Sequence, residues 1–236
     1  MIYSKTHKFL FIHIPKTGGT SVQHALRPYA TPLPDGTPPE QYLARHKRKY
    51  TAAYLKEWLG EEEWNRVHKF AVVRNPYDWF VSICYFNSGK GQSDPAEKEP
   101  MRRFIHGLDE PGGEKKWSLK EWVCDEAGEV MLDRLLRFET LHEECMDLAS
   151  HLGVRIELEH RLPSKRKPYP YYYDSGMKRI VESIYKDEME LFDYRYGLAP
   201  KDYWQWFLKR SWPEITQKIA IRTRLRRLLH FKSHSL

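Results

Sequence analysis

The strongest constraint on the fold lies between Lys8 and Val22, where an apolar run leads directly into a glycine turn. Residues 9–14 are almost all apolar, which is typical of a strand buried on both faces of a parallel sheet. Pro15 ends the run, and residues 16–19 predict a tight turn. A helix is expected to follow, with Thr20 or Ser21 as its N-cap. The sequence therefore predicts a strand, a turn and a helix in immediate succession.

A strand, a glycine turn and a helix N-terminus together favour a bound anion. Backbone N–H groups converge at such a turn, the helix dipole attracts negative charge, and glycine allows a ligand close to the backbone. Lys16 adds a cation, and Thr17, Thr20 and Ser21 add hydroxyl donors. In the Walker loop, Lys and Ser or Thr follow the second glycine, whereas here Lys16 precedes the glycine pair. We therefore predict a phosphate cradle of a different kind.

A second junction of strand and helix follows at Arg74. Residues 70–73 are apolar and predict a core strand, after which Asn75 is a suitable N-cap. Arg74 is expected at the carboxyl end of this strand, where open α/β sheets bind ligands, and Ser82 can point to the same anion. The alternative is that Arg74 pairs with Asp78 and that Ser82 only packs.

Both junctions resemble motifs of one enzyme family. Residues 13–21, His-Ile-Pro-Lys-Thr-Gly-Gly-Thr-Ser, resemble the 5′-phosphosulfate loop of sulfotransferases that use 3′-phosphoadenosine 5′-phosphosulfate (PAPS). The resemblance is strongest to the carbohydrate or Golgi-type branch and its bacterial relatives. Residues 73–82 resemble the 3′-phosphate motif of the same family, in which an arginine and a serine grip the 3′-phosphate. A weaker likeness extends to about Gly197.

The resemblance implies transfer of a sulfuryl group from PAPS to a hydroxyl of a glycan or glycolipid, with adenosine 3′,5′-bisphosphate as the product. It assigns the 3′-phosphate to Arg74 and Ser82. Arg166 and Tyr171 fall where the family has a loop that closes over the nucleotide, although a solvated basic loop with packed tyrosines is the alternative. The residues implied for the 5′-phosphosulfate are Pro15, Lys16, Thr17, Gly18, Gly19, Thr20 and Ser21.

The resemblance also implies two catalytic residues. The transferred SO₃ is formally neutral, so charge builds on the leaving phosphate, and Lys16 at the bridging oxygen would stabilise it without a metal ion. His46 lies in the interval where related carbohydrate sulfotransferases place a catalytic histidine, and the cations at 47–49 would keep it uncharged and basic. The alternative is an exposed histidine in a solvated basic loop. No zinc, calcium or Walker-type motif is present, and no metal is expected.

The pattern of elements predicts an α/β fold, specifically a P-loop-like three-layer sandwich with a mostly parallel central sheet flanked by helices. The chain of 236 residues, 41% hydrophobic and 14% aromatic, can bury a full core. We expect a sulfotransferase domain over residues 1–200 and an aromatic and basic helical extension over 201–236. Cys84, Cys124 and Cys145 have no metal-ligand spacing and are expected to be buried free thiols.

Local patterns give further expectations. Trp79, Ile83 and Phe86 recur at helical spacing and are expected to face the core. Thr51 is a suitable N-cap for a helix that ends before Gly60. Residues 140–143 form the pattern of a capping box at the start of a further helix, and residues 135–138 predict a third strand.

The basic residues are concentrated near the end of the sequence. Residues 215–236 hold six Lys or Arg and no acid, and they account for most of the net charge of +7. On an amphipathic helix these cations would contact an anionic membrane or a polyanion, whereas a helix packed on its own domain is the alternative. With no signal peptide and no bilayer-spanning apolar run in the sequence, we expect a cytoplasmic enzyme, peripheral to the inner membrane face, without a nucleic-acid partner.

Two other functions compete with this interpretation. A P-loop-like small-molecule kinase would need a Walker loop and a metal-binding acid after a core strand, whereas the second strand ends in Arg74. A non-catalytic polyanion-binding protein would explain the basic tail but would leave the two phosphate motifs unexplained.

Overall fold

The computed structural model describes residues 1–44, 50–87, 97–111, 118–158 and 167–197. These residues contain four strands, namely β1 (Ile2–Ser4), β2 (Phe9–Ile12), β3 (His68–Val73) and β4 (Arg134–Arg137). They also contain ten α-helices: α1 (Gly19–Leu26), α2 (Pro39–Ala44), α3 (Ala52–Leu59), α4 (Glu61–Arg66), α5 (Pro76–Asn87), α6 (Glu99–Leu108), α7 (Lys120–Val123), α8 (Leu141–Leu152), α9 (Ser175–Ile184) and α10 (Lys186–Leu191). Short 3-10 turns cover Arg27–Tyr29, Phe138–Thr140 and Tyr169–Tyr171.

The strands form one sheet in the order β1-β2-β3-β4. β2, β3 and β4 are parallel, with Phe11 opposite Phe70 and Phe70 opposite Arg134. β1 pairs antiparallel with β2, so that Ile2 lies opposite Phe11. The mostly parallel sheet is confirmed. The edge strand β1 was not predicted, because three residues are too few to show an alternating pattern.

Each face of the sheet has its own core, since successive side chains of a strand point in opposite directions. On one face, side chains of the strands pack with Val22 of α1 and Leu148 of α8. On the other face, the strands pack with Leu55 of α3, Phe80 of α5 and Val181 of α9. The strand residues of the first face include Phe9, Phe11, Phe70 and Val72 from β2 and β3, and those of the second include Leu10, Ile12, Ala71 and Val73. The predicted three-layer α/β sandwich is confirmed.

The helix caps agree in part with the sequence patterns. Thr51 accepts a hydrogen bond from the Tyr54 N–H at 3.2 Å, as expected of the N-cap of α3. The capping box predicted for α8 is not formed, because the side chain of the N-cap residue Thr140 accepts no hydrogen bond from the helix. Its hydroxyl instead donates to Glu144, which also accepts a hydrogen bond from the Arg137 N–H, each at 3.0 Å. Glu144 therefore joins the end of β4 to the helix that follows.

Some predictions concern other parts of the chain. The boundary at residue 200 stays a prediction, and the extension over 201–236 lies outside the described residues. Cys84, Cys124 and Cys145 are buried and free, as expected. None of the helices in the described residues combines the length and apolar character needed to cross a membrane.

Candidate active site

The loops that follow β2, β3 and β4 meet at the carboxyl ends of the parallel strands. Arg74, directly after β3, donates from Nη1 to the Lys16 carbonyl oxygen at 2.9 Å. Its guanidinium carbon also lies 3.9 Å from the centroid of the Phe138 ring, directly after β4. The Asn75 N–H donates to Glu139 Oε1 at 2.8 Å. The topology thus brings the two sequence motifs together at the edge where such sheets bind ligands.

The glycine turn after β2 is held from inside by its neighbours. The Thr17 hydroxyl is fully buried and donates to the Ile14 carbonyl oxygen at 2.9 Å. The indole N–H of Trp79 donates to the Pro15 carbonyl oxygen at 2.8 Å. Lys16 has a φ of 66° and Gly18 a φ of 88°, so both adopt the left-handed conformation. These two hydrogen bonds and the two left-handed residues define the shape of the loop.

Helix α1 begins two or three residues earlier than the sequence predicts. Its N-cap is Gly18, and no side chain caps it, so the expectation that Thr20 or Ser21 is the cap was wrong. Glycine takes this position because the left-handed backbone disfavours a side chain. A Cβ atom there would also lie 2.5 Å from the Phe138 ring. Thr20 is exposed and Ser21 is partly exposed, both in the first turn of the helix.

The Arg74 guanidinium is buried and bound on several sides. It is 6% exposed, and its Nε donates to Asp78 Oδ2 at 2.7 Å, while Nη2 contacts the same oxygen. Asp78 is 3% exposed. The structure thus contains the Arg74–Asp78 pair considered above, and it adds the bond from Arg74 to the loop carbonyl of Lys16. Ser82, one turn beyond Asp78, is partly buried.

Glu139 is a site residue that the sequence motifs did not identify. Besides the Asn75 N–H, it accepts a hydrogen bond from the Tyr194 hydroxyl to Oε2 at 2.9 Å. The Asn75 side chain in turn donates to the Arg195 carbonyl oxygen at 3.2 Å. Burial raises the pKa of the Glu139 carboxyl, against the lowering effect of these hydrogen bonds. Glu139 follows the end of β4 by two residues, and this position just after a parallel strand, like that of Arg74 after β3, is the sequence feature that could have identified it.

Phe86 was expected in the core but lies at the surface. Trp79 and Ile83 are each 1% exposed, as predicted, whereas Phe86 is 60% exposed. The Lys16 ammonium nitrogen lies 3.8 Å from the centroid of the Phe86 ring. Because Phe80 and Val81 are also buried, α5 is apolar on most sides, and spacing alone could not show which residue faces outward.

Of the other residues predicted for the site, some lie in the described part of the chain and some do not. Tyr171 is 42% exposed, in the 3-10 turn beside α5, with the Lys98 ammonium 4.3 Å from its ring centroid. His46 and Arg166 fall outside the described residues. His13, at the end of the apolar run, is stacked on Phe11 with the ring centroids 6.1 Å apart. The described ranges contain no group of three or more His, Cys, Asp and Glu that could hold a metal ion.

Comparison with protein families decides the class of protein. A family model described as "Sulfotransferase family" matches residues 1–195, which include all four strands and both motifs. The chain belongs to the sulfotransferase family. Comparison with curated proteins and with solved structures finds no match. Membership of the sulfotransferase family assigns the chain to sulfuryl transfer in general.

Proposed function

We propose that the protein transfers a sulfuryl group from PAPS to a hydroxyl group of a glycan or glycolipid. The observation that carries this proposal is the clamp between the two motifs, in which the Arg74 guanidinium binds the carbonyl of Lys16 at 2.9 Å. PAPS carries phosphate groups on both the 3′ and the 5′ carbon of its ribose, and a protein that binds it needs two anion sites at a fixed separation. The hydrogen bond between Arg74 and Lys16 fixes the distance between the two motifs, which supports this requirement.

The chemistry of the residues fits a donor with two anionic ends. On the 5′ side, we assign the backbone N–H groups of residues 17–20, the hydroxyls of Thr20 and Ser21, and the ammonium of Lys16. The Thr17 hydroxyl is already bound to Ile14, so Thr17 contributes through its N–H group. On the 3′ side, we assign Arg74 and Ser82. Arg166 and Tyr171 are assigned to closure over the nucleotide.

In the proposed reaction, the sulfur–oxygen bond to the acceptor forms as the sulfur–oxygen bond to the 5′-phosphate breaks. Negative charge then grows on the phosphate oxygen that leaves, and Lys16 stabilises this charge. The acceptor hydroxyl loses its proton to a general base, a role that we assign to His46. The basic residues of 215–236 are proposed to guide a polyanionic acceptor or to contact an anionic membrane.

Binding to immobilised adenosine 3′,5′-bisphosphate without magnesium tests the donor. We expect retention that survives raised salt, because specific phosphate contacts persist when nonspecific charge attraction is screened. A polyanion binder would elute as salt rises, and a kinase would need magnesium. If the protein fails to bind the magnesium-free matrix at both low and raised salt, the assignment of PAPS as the donor is contradicted.

Transfer of labelled sulfate from PAPS to a panel of acceptors tests the reaction and its acceptor class. We expect incorporation into glycans or glycolipids with free hydroxyls, and none into matched acceptors whose hydroxyls are blocked. Labelling of phenols or amines alone would contradict the glycan assignment and leave the donor assignment intact.

The role of His46 is tested by His46→Ala, with His13→Ala and His106→Ala as matched histidine variants. We expect His46→Ala to lose turnover while donor affinity stays near that of the original protein, since a base acts on the acceptor. If His46→Ala keeps normal turnover while another variant is inactive with its donor affinity intact, His46 is not the base.

A further inference from the structure

Phe86 is an exposed aromatic residue next to the proposed catalytic lysine. Its side chain is 60% exposed, more than Met146 at 56% or Tyr171 at 42%, the next most exposed large hydrophobic side chains of the described residues. Placing a phenyl ring in water contributes little to stability, because apolar groups stabilise a fold by being removed from water. The exposed ring therefore calls for an explanation other than core packing.

The position of the ring follows from the way α5 lies against the glycine turn. Trp79 of α5 binds the Pro15 carbonyl at 2.8 Å, and Arg74, just before the helix, binds the Lys16 carbonyl at 2.9 Å. Ser82 and Phe86 are four residues apart and share one side of the helix. The lysine backbone is thus fastened near the start of α5, and its side chain reaches the ring in the last turn.

The contact between Lys16 and Phe86 has the geometry of a cation–π interaction. The ammonium nitrogen lies 3.8 Å from the ring centroid, well inside the roughly 6 Å within which the negative face of a ring attracts a cation. The Lys16 backbone is held in the left-handed region with a φ of 66°, which limits the directions in which the side chain can leave the loop. Both ends of the lysine side chain are therefore constrained, the Cα by the turn and the ammonium by the ring.

We propose that Phe86 is a positioning residue, whose ring holds the Lys16 ammonium directed along α5 toward the leaving oxygen of the donor. The inference rests on the proposed function, since it is that reaction that makes Lys16 catalytic. The ring confines a flexible side chain, so less conformational freedom is lost when charge develops on the leaving oxygen.

Fluorinated phenylalanines at position 86 test the role of the ring, because successive fluorine atoms weaken the negative face while the shape changes little. We expect kcat to fall stepwise with the number of fluorine atoms, with the donor KM nearly constant. Phe86→Leu should lower kcat about two- to fivefold, the effect of losing one exposed cation–π contact. Phe86→Tyr should keep most of kcat. The proposal would be overturned if kcat stays unchanged, rises, or does not follow the number of fluorine atoms.

A second measurement separates this inference from the proposed function. Labelling of the Lys16 amine by an acylating reagent, read by mass spectrometry in the absence of donor, does not depend on catalysis. We expect Phe86→Leu to label Lys16 faster at a mildly alkaline pH, while Met146→Leu, at an exposed apolar site on α8, should match the original protein. Faster labelling without detectable transfer would contradict the proposed function alone. An unchanged labelling rate would contradict the role of Phe86.

Discussion

Lys16 combines a constrained backbone with a side chain whose charge is expected to act only as the reaction proceeds. We predict that Lys16→Ala lowers kcat far more than it weakens donor binding, because its partner charge develops mainly in the transition state. Single-turnover kinetics and binding of adenosine 3′,5′-bisphosphate measure the two effects separately. Equal loss in both would show instead that Lys16 anchors the bound donor.

Arg74 serves the fold as well as the proposed donor site, and two variants can separate these roles. Arg74→Ala should cost about 3–5 kcal/mol of stability, because the buried Asp78 carboxylate loses its guanidinium. Donor binding should weaken by roughly 1.5–3 kcal/mol, as for a charged hydrogen bond. Arg74→Ala combined with Asp78→Asn should recover much of the stability but none of the affinity. Stability is read by denaturant unfolding and affinity by calorimetry. Normal affinity in the double variant would exclude Arg74 from the donor site.

At the level of single elements, the junction between β2 and α1 depends on Gly18. Both Gly18→Ala and Gly36→Ala put a side chain on a left-handed residue, at φ values of 88° and 82°, which costs about 1–2 kcal/mol. Only Gly18→Ala also drives a Cβ into the Phe138 ring, since a Cβ at Gly36 meets nothing within 4 Å. We predict that Gly18→Ala loses about 1–3 kcal/mol more than Gly36→Ala in denaturant unfolding. Equal losses would mean that Phe138 moves aside freely.

The elements that could be predicted from sequence are those whose pattern is local. Three predictions depend on neighbouring residues alone, namely the apolar runs that form β2 and β3 and the N-cap at Thr51. The structure contains all three. Phe86 and Glu139 could not be placed in the same way. The outward direction of Phe86 depends on which side of an apolar helix meets the sheet, and the partners of Glu139 lie 64 and 55 residues away in sequence. Contacts between residues so far apart in the chain produce no repeating pattern in the sequence.

At the scale of the whole molecule, Glu139 joins β4, the start of α5 and the Tyr194 region through one buried carboxylate. Its pKa is raised above the ordinary value of 4.5, so the folded protein holds this proton more tightly than the unfolded chain does. Its contribution to stability is fully present below pH 4.5 and is lost as the pH rises through the folded-state pKa. We predict that Glu139→Gln reduces this decline, measured as the free energy of unfolding in denaturant at a series of pH values. A parallel pH profile in the variant would show that another group is responsible.

The buried cysteines make this protein easy to label at a chosen point. Burial raises the pKa of Cys124 to about 11 and that of Cys145 to about 12, and Cys84 is only 5% exposed. Maleimides react with thiolates, so these native side chains should stay unmodified at neutral pH while the protein is folded. A cysteine introduced at Met146 would then take up a single fluorophore without removal of any native thiol. That one dye would mark a known position on α8 of the folded protein.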